Sequence, residues 1–449
     1  MNVLHYALGF PPYRSGGLTK LCVDLMIQQS KEGKRVALLW PGKMGSLNKK
    51  TAVKNRGFVN IESIQILSFE VINPLPVSYD EGIADFDAFT QNADQNVYRQ
   101  LMDCYEPDVI HIHTLMGLHS SFLDAARQFG ARIVFTAHDF FPVCPKVTMF
   151  HAGGICVSAD SCSECGVCNS TALGMRKIQV LQSPLYRRMK DSAIIKKLRK
   201  QHRDAYLSEK TAEENVRAVG TAENFKKLRS YYGSFLERMD IIHYNSTITK
   251  RIYERFFVLP ESCVIGITHS DISDHREVKH FSDDKLRIRY LGPNGAAKGF
   301  YLLKAALDML WEERRDFCLD IHFIPTEMSP YMNAHERYNY NDLQTIFENT
   351  DVLIAPSIWY ETFGFTVLEA LSYGVPVIIS GNVGAKDILV EGGGIIVEDI
   401  SPEKLCDAVR NLTADKLSVM NRIIVKNQQI MEISQLSELL ERQCYVPEP

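Results

Sequence analysis

The chain has no apolar run of the ~18 residues needed to cross a bilayer, which excludes an ordinary spanning helix. It has no tandem repeat and no low-complexity tract, so neither a solenoid nor a disordered array organises it. No sign of charge dominates. The net charge of −4 argues against nucleic acid as a partner. Met1–Tyr6 lacks a basic region and a small-residue cleavage site, so it reads as a buried first strand and not as a signal peptide. The expected compartment is the cytoplasm. Without an export signal, the eleven cysteines are expected as thiols or metal ligands. No acidic D-x-D pair stands in a context suited to a divalent ion, so no cofactor for catalysis is expected.

What is present is an ordinary globular composition, 45% hydrophobic and 23% charged. With 449 residues the chain is long enough for two domains of roughly 200 residues each. The first unit is a strand at Val3–Leu8, a turn-rich stretch ending in Gly16-Gly17, a helical pattern over Leu18–Glu32 and a strand at Arg35–Trp40. Further apolar runs stand at Asp108–Ile112, Arg132–Thr136 and Ile241–Tyr244. A second series stands at Leu286–Leu291, Cys318–Ile324, Val352–Ala355 and Val375–Ser380, alternating with helices such as Phe300–Trp311 and Gly364–Ser372. Continuous apolar runs are what strands covered on both faces require. The pattern predicts an α/β protein with two Rossmann-like units: residues 1–265, carrying an insertion at about 145–235, and residues 266–425. A last helical segment at about 415–443 is expected to pack, through 426–449, back toward the first unit.

The strongest chemical signal is Pro356–Ala370. It follows a buried strand and enters a helix at Gly364, where unsatisfied backbone N–H groups suit a phosphate or sugar oxygen. Glu361 precedes that helix. Glu369 lies one and a half turns in, on a face with Phe365 and Ser372, where a carboxylate can accept two hydrogen bonds from a vicinal diol. Two glutamates eight apart are often merely solvated, but a crevice at a strand's carboxyl end is where α/β proteins bind ligands.

Glu361 and Glu369, with Phe363-Gly364 between them, resemble the E-x7-E signature of glycosyltransferase family 4, retaining enzymes with the GT-B fold. Five further elements resemble that family in the same order. They are Gly16-Gly17 after Pro11-Pro12, Asp108–His113, Thr136-Ala137-His138-Asp139, Ala297-Lys298-Gly299 and Val383–Asp387. The resemblance implies two facing Rossmann-like domains with parallel sheets and a nucleotide-sugar donor, by default a UDP-sugar. It makes Glu361, Lys298 and His138 the catalytic set. Lys298 would neutralise the leaving diphosphate and Glu361 would hold a sugar hydroxyl. Gly16, Gly17, Asn294, Phe363, Gly364, Phe365 and Glu369 complete the donor site, with Glu369 on the ribose. No residue stands as a convincing nucleophile, and the resemblance implies a front-face reaction in which the leaving phosphate helps deprotonate the acceptor. One departure is plain: where the family has Arg before its K-G element, this chain has Pro293, with Asn294 and Gly295 offering backbone amides instead.

Two segments lie outside the sheet pattern. Cys144, Cys156, Cys162, Cys165 and Cys168 fall within 25 residues, and C-x2-C-x2-C has the turn geometry of a zinc knuckle. Four of the five are expected to hold a structural metal, zinc before an iron–sulfur cluster, with free or redox thiols as the alternative. Met175–Arg203 carries ten basic residues, Arg187 and Arg188 among them, against one acid, Asp191. It suits either a solvated helical face or peripheral contact with anionic lipid. The acceptor expected is a glycan or lipid-linked glycan at the inner face of the cell membrane. A protein or small-molecule acceptor, or a non-catalytic partner subunit, are the alternatives.

Overall fold

The computed structural model describes residues 1–45, 49–190, 192 and 217–446. Two mainly parallel sheets face each other. The amino-terminal sheet holds β1 (Asn2–Tyr6), β2 (Arg35–Pro41), β3 (Ala52–Ile61), β4 (Ile64–Ile72), β5 (Val109–Ile112) and β6 (Arg132–Ala137). A small hairpin, β7 (Phe150–His151) and β8 (Gly154–Ile155), stands apart, and β9 (Ile241–Tyr244) and β10 (Ser262–Val264) complete the large sheet. Its order is β10-β9-β6-β5-β1-β2-β4-β3, parallel except where β3 runs antiparallel to β4. The second sheet holds β11 (Leu286–Tyr290), β12 (Phe317–Ile321), β13 (Met332–Ala334), β14 (Val352–Ala355), β15 (Val377–Ser380) and β16 (Gly394–Val397), in the parallel order β13-β12-β11-β14-β15-β16.

Both sheets reverse their winding once, between β1 and β5 in the first and between β11 and β14 in the second. A crevice opens at the carboxyl ends of such a strand pair, because the two following loops diverge to opposite faces. The inner strands are buried on both faces. Val3, Leu4 and Tyr6 of β1 and Val377 and Ile379 of β15 have no exposed surface. The apolar stripe Leu303, Leu307 and Leu310 of the helix Phe300–Trp311 is equally buried against β11 and β12. Truncating one such leucine to alanine costs about 2–5 kcal/mol.

The sequence pattern did not show the β3–β4 hairpin, β10, β13 or β16. The single carboxy-terminal helix expected at about 415–443 is two helices, Ala414–Asn427 and Ile433–Leu440, followed by a wide turn at Glu441–Tyr445. The chain leaves the first at Gln428, which turns extended while its side chain bonds Val390 N–H and Ile388 C=O. The last segment packs on the amino-terminal sheet: Ser437 donates to Glu32 at 2.8 Å, and Arg132 donates to Cys444 C=O at 2.6 Å. The units also meet at the cleft, where Lys20 pairs with Asp24 and Asp271 at 2.8 Å each and Thr362 donates to His138 C=O at 3.0 Å.

A cleft at the switch point of the second sheet

A cavity of about 360 Å³ lies between the sheets, lined from one side by Gly17, His138 and Asn245 and from the other by Pro293, Lys298, Ser357, Glu361 and Phe363–Thr366. The loops after β11 and β14 supply most of the second wall. They are stitched together where Ile358 and Trp359 N–H both donate to Ala297 C=O, at 2.9 and 3.1 Å. Lys298 is thereby held over the Trp359 ring, 5.2 Å from its centroid, and donates to Glu361 Oε1. Ser357 donates to the other oxygen, Glu361 Oε2, at 2.8 Å. The late glycine loop fixes the backbone here: Glu361 N–H donates to Asn382 C=O, and Gly384 N–H to Glu361 C=O, both at 2.9 Å. The result is a half-buried ion pair whose cation faces the cavity and whose carboxylate has little freedom to turn.

Glu369 sits apart from this pair. It is 4% exposed, on the helix Phe365–Ser372, with Oε1 3.4 Å from His269 Nε2. Phe365 stacks edge-on to the same imidazole, ring centroids 5.0 Å apart, so Phe365 and Glu369 share a face. Glu369 Oε2, His269 Nε2 and Thr268 Oγ1 are buried and have no protein hydrogen-bond partner among the described residues. Since buried polar atoms are nearly always partnered, the free atoms on Glu369 and His269, whose side chains stand 3.4 Å apart, make this a candidate place for a polar ligand. Tyr338 and Tyr340 close it. Burial, and then the charge of Glu369, raise both phenols above their ordinary value, Tyr340 to about 12.

The remaining expected residues fall as follows. Gly17 faces the Phe365 ring so closely that a β-carbon would stand 3.1 Å from it, while Gly16 (φ 104°) caps the helix Gly17–Lys31 and has nothing near. Phe363 is buried and Gly364 starts its helix from the left-handed region at φ 111°. Asn294 is half-buried, its Oδ1 without a partner among the described residues, and does not line the cavity. Pro293 does line it, at the position where the resembling family carries a cation. His138 Nε2 lies 3.1 Å from His113 Nδ1. Burial, and secondarily His243, push the His138 imidazole down to about 3.

Residue spacing along the chain did not reveal Asn245, His269, Tyr338 or Tyr340, because only the fold brings them to the cavity or to Glu369, and Ser357, four residues before Glu361, carried no signal of its own. The run Thr268-His269-Ser270-Asp271 reads as a polar boundary, and only the fold carries it against Glu369.

The five cysteines are brought near one another without converging. Cys165 donates to the Cys162 sulfur, which lowers the Cys162 thiol, while burial raises Cys144 against the backbone N–H groups of Met149 and Lys146 that point at its sulfur. Among the described residues, the set of three ligand-type side chains with all donor atoms within 4.8 Å is His5, His111 and His113, not a cysteine set. In the basic segment Arg187 is turned inward, 4.3 Å from the Trp40 ring and 3.4 Å from Glu70. Lys190 reaches the carbonyls of Pro12 and Tyr13. Asp191 and residues 193–203 of that segment lie outside the described residues.

Two Rossmann-like units facing across such a cleft make the GT-B fold. Residues 332–430, under a quarter of the chain, match the family model described as Glycosyl transferases group 1; both glutamates lie inside that match, while Lys298, His138 and the amino-terminal glycines lie outside it. The chain is 29% identical to sucrose-phosphate synthase of Spinacia oleracea over 87 residues, 19% of this chain and 8% of that protein. It is 34% identical over 85 residues to UDP-Gal:alpha-D-GlcNAc-diphosphoundecaprenol alpha-1,3-galactosyltransferase of Escherichia coli, 18% of this chain and 21% of that one. The matched parts thus span about a fifth or less of these relatives. Over the whole fold it is similar to Anabaena Alr3699/HepE in complex with UDP and glucose, with a TM-score of 0.55, 11% identity and 98% of both chains covered. No helix among the described residues is long and apolar enough to cross a membrane.

Proposed function

We propose that the chain is a retaining glycosyltransferase that moves a hexose or N-acetylhexosamine from a UDP-sugar to a glycan or lipid-linked acceptor, as in cell-surface polysaccharide assembly. The observation that carries this reading is the Lys298–Glu361 pair at the β11/β14 switch point, set across the cavity from Gly17 and His138. A diphosphate entering there meets the one cation of the pair, and charge building on the leaving oxygen strengthens that contact in the transition state. Glu361, held by Ser357, accepts from a sugar hydroxyl. Glu369 takes the ribose diol, beside His269. The leaving phosphate then accepts the acceptor's proton on the same face. UDP as the nucleotide is supported by the Anabaena complex and by the name of the Escherichia coli relative.

An acceptor at a membrane surface is supported by the exposed side of the segment 175–190. There Arg176, Lys177 and Arg188 are exposed together with Val180, Leu185 and Met189. Basic and apolar groups on one surface suit anionic headgroups. Four of the five clustered cysteines would hold a structural metal, zinc by their chemistry, a role supported by the amide groups aimed at Cys144 and by the Cys162–Cys165 contact. That metal would brace the insertion and take no part in transfer.

The test is a panel of nucleotide sugars with nucleotide release as readout. One donor should be consumed, and Glu361→Gln should slow it at least tenfold, about 1.4 kcal/mol. A second reading, a non-catalytic partner subunit, draws on Pro293 in the cavity wall. It expects no turnover of any donor by the chain alone and recovery with a second protein.

A further inference from the structure

Four buried histidines and the half-buried His138 lie on one unbroken hydrogen-bonded path, and its direction can be read from one end. His243 Nε2 is 2.8 Å from Ile265 C=O, an atom that only accepts, so Nε2 carries the proton. Burial keeps each of these imidazoles neutral, with His243 and His5 lowered to about 4, so the other nitrogen of each ring is an acceptor. Thr136 Oγ1 therefore donates to His243 Nδ1 (2.9 Å) and must itself accept from His111 Nε2 (2.6 Å). His111 Nδ1 then accepts from the Tyr445 hydroxyl at 2.7 Å, whose oxygen accepts from Gln29 Nε2 at 2.9 Å. Gln29 Oε1 accepts from His5 Nε2 (2.9 Å), His5 Nδ1 from His113 Nε2 (3.0 Å), and His113 Nδ1 from His138 Nε2 (3.1 Å).

We infer that Tyr445, in the carboxy-terminal segment, is a positioning residue that fixes the tautomer of His138 in the cleft: proton on Nε2, lone pair on Nδ1. Tyr445 is the joint because it alone passes direction from His111 to Gln29. Without its hydroxyl, Gln29 can turn its amide over, and the run His5–His113–His138 can then point either way. The consequence at the cavity that His138 lines rests on the transferase reading. An acceptor-only nitrogen takes a hydrogen bond from a sugar hydroxyl and gives none to a phosphate or carbonyl oxygen, so it selects which end of the donor lies beside it. All six ring nitrogens of His5, His111 and His113 are used by the path, which therefore holds protons in the place where a metal could otherwise be imagined.

The experiment uses the full chain with 15N,13C-labelled histidine, reading tautomers from ring shifts near pH 7.5. The wild type should show His138 protonated at Nε2 alone. Tyr445→Phe should mix the two tautomers at His138, His113 and His5 while His243 stays as it was, and Cys444→Ser, in the same segment but off the path, should change none of them. His138 protonated at Nδ1 in the wild type would overturn the inference, even if Tyr445→Phe does not fold. So would unchanged tautomers in a folded Tyr445→Phe, or a joint shift of His5, His111 and His113 on adding one equivalent of Zn²⁺. With a donor that turns over, Tyr445→Phe should raise its KM about fivefold with little change in kcat. Correct tautomers without turnover of any donor would sink the transferase reading and leave the hydrogen-bonded path intact.

Discussion

A β-carbon at Gly299 would stand 1.9 Å from the carbonyl oxygen of Pro356. The two loops that carry Lys298 and Glu361 are thus in contact backbone to backbone, and Gly299 takes φ 76° to make it possible. Any side chain there must push the loops apart, and Lys298 moves with them. Gly299→Ala should lower stability by about 2–3 kcal/mol, from strain and overpacking together, and should cut donor turnover more than tenfold. Thermal unfolding and nucleotide release measure the two effects separately. Unchanged turnover at normal stability would mean that the loop contact does not position the lysine.

The buried histidines set how the fold responds to acid. His5, His119 and His243 are lowered to about 4 and His138 to about 3, chiefly by burial. Each binds a proton less readily folded than unfolded, where the value is near 6.5. The stability they contribute is therefore fully present above about pH 6.5 and is lost as pH falls toward 4, at about 1.4 kcal/mol per group and pH unit. Asp139 works the other way: burial raises it to about 6, so its ionisation removes stability as pH rises from about 4 to 6. Four histidines outweigh one carboxyl. The melting temperature should fall steeply between pH 7 and pH 5, and a flat profile over that range would contradict the neutral, buried assignment.

Arg187 and Arg188 are neighbours in sequence and differ in role. Arg187 faces the buried Glu70 and the Trp40 ring, while Arg188 is exposed beside Leu185. Arg187→Glu should destabilise the fold by about 3 kcal/mol by setting one carboxylate against another in a buried place. Charge reversal of Arg176, Lys177 and Arg188 together should leave the melting temperature unchanged and reduce sedimentation with anionic vesicles. If the triple variant sediments as the wild type does, this surface is a solvated face.

The parts of the architecture written as local pattern were legible. Continuous apolar runs marked β1, β2, β5, β6, β9, β11, β12, β14 and β15, and the run Pro356–Ala370, entering a helix at the end of a buried strand, marked the loop and helix that hold Glu361 and Glu369. The β3–β4 hairpin was not legible because its turn residues, Glu62 and Ser63, take positive φ without a glycine or asparagine to announce it. The histidine path was half legible. His111 and His113 must share a face of their strand, and register places His5 opposite His111, but nothing local brings Tyr445 to them. The inward turn of Arg187 likewise depends on Glu70, more than a hundred residues earlier in the chain.

On the proposed reading, a nucleoside diphosphate is held at the second sheet's switch point, with its ribose on Glu369 and its phosphates on Lys298. Isothermal titration of UDP into the wild type, Glu369→Ala and Lys298→Ala tests it most directly. The expected result is binding by the wild type and at least tenfold weaker binding by each folded variant, about 1.4 kcal/mol apiece. Wild-type binding that neither substitution weakens would contradict it, because the nucleotide would then lie elsewhere.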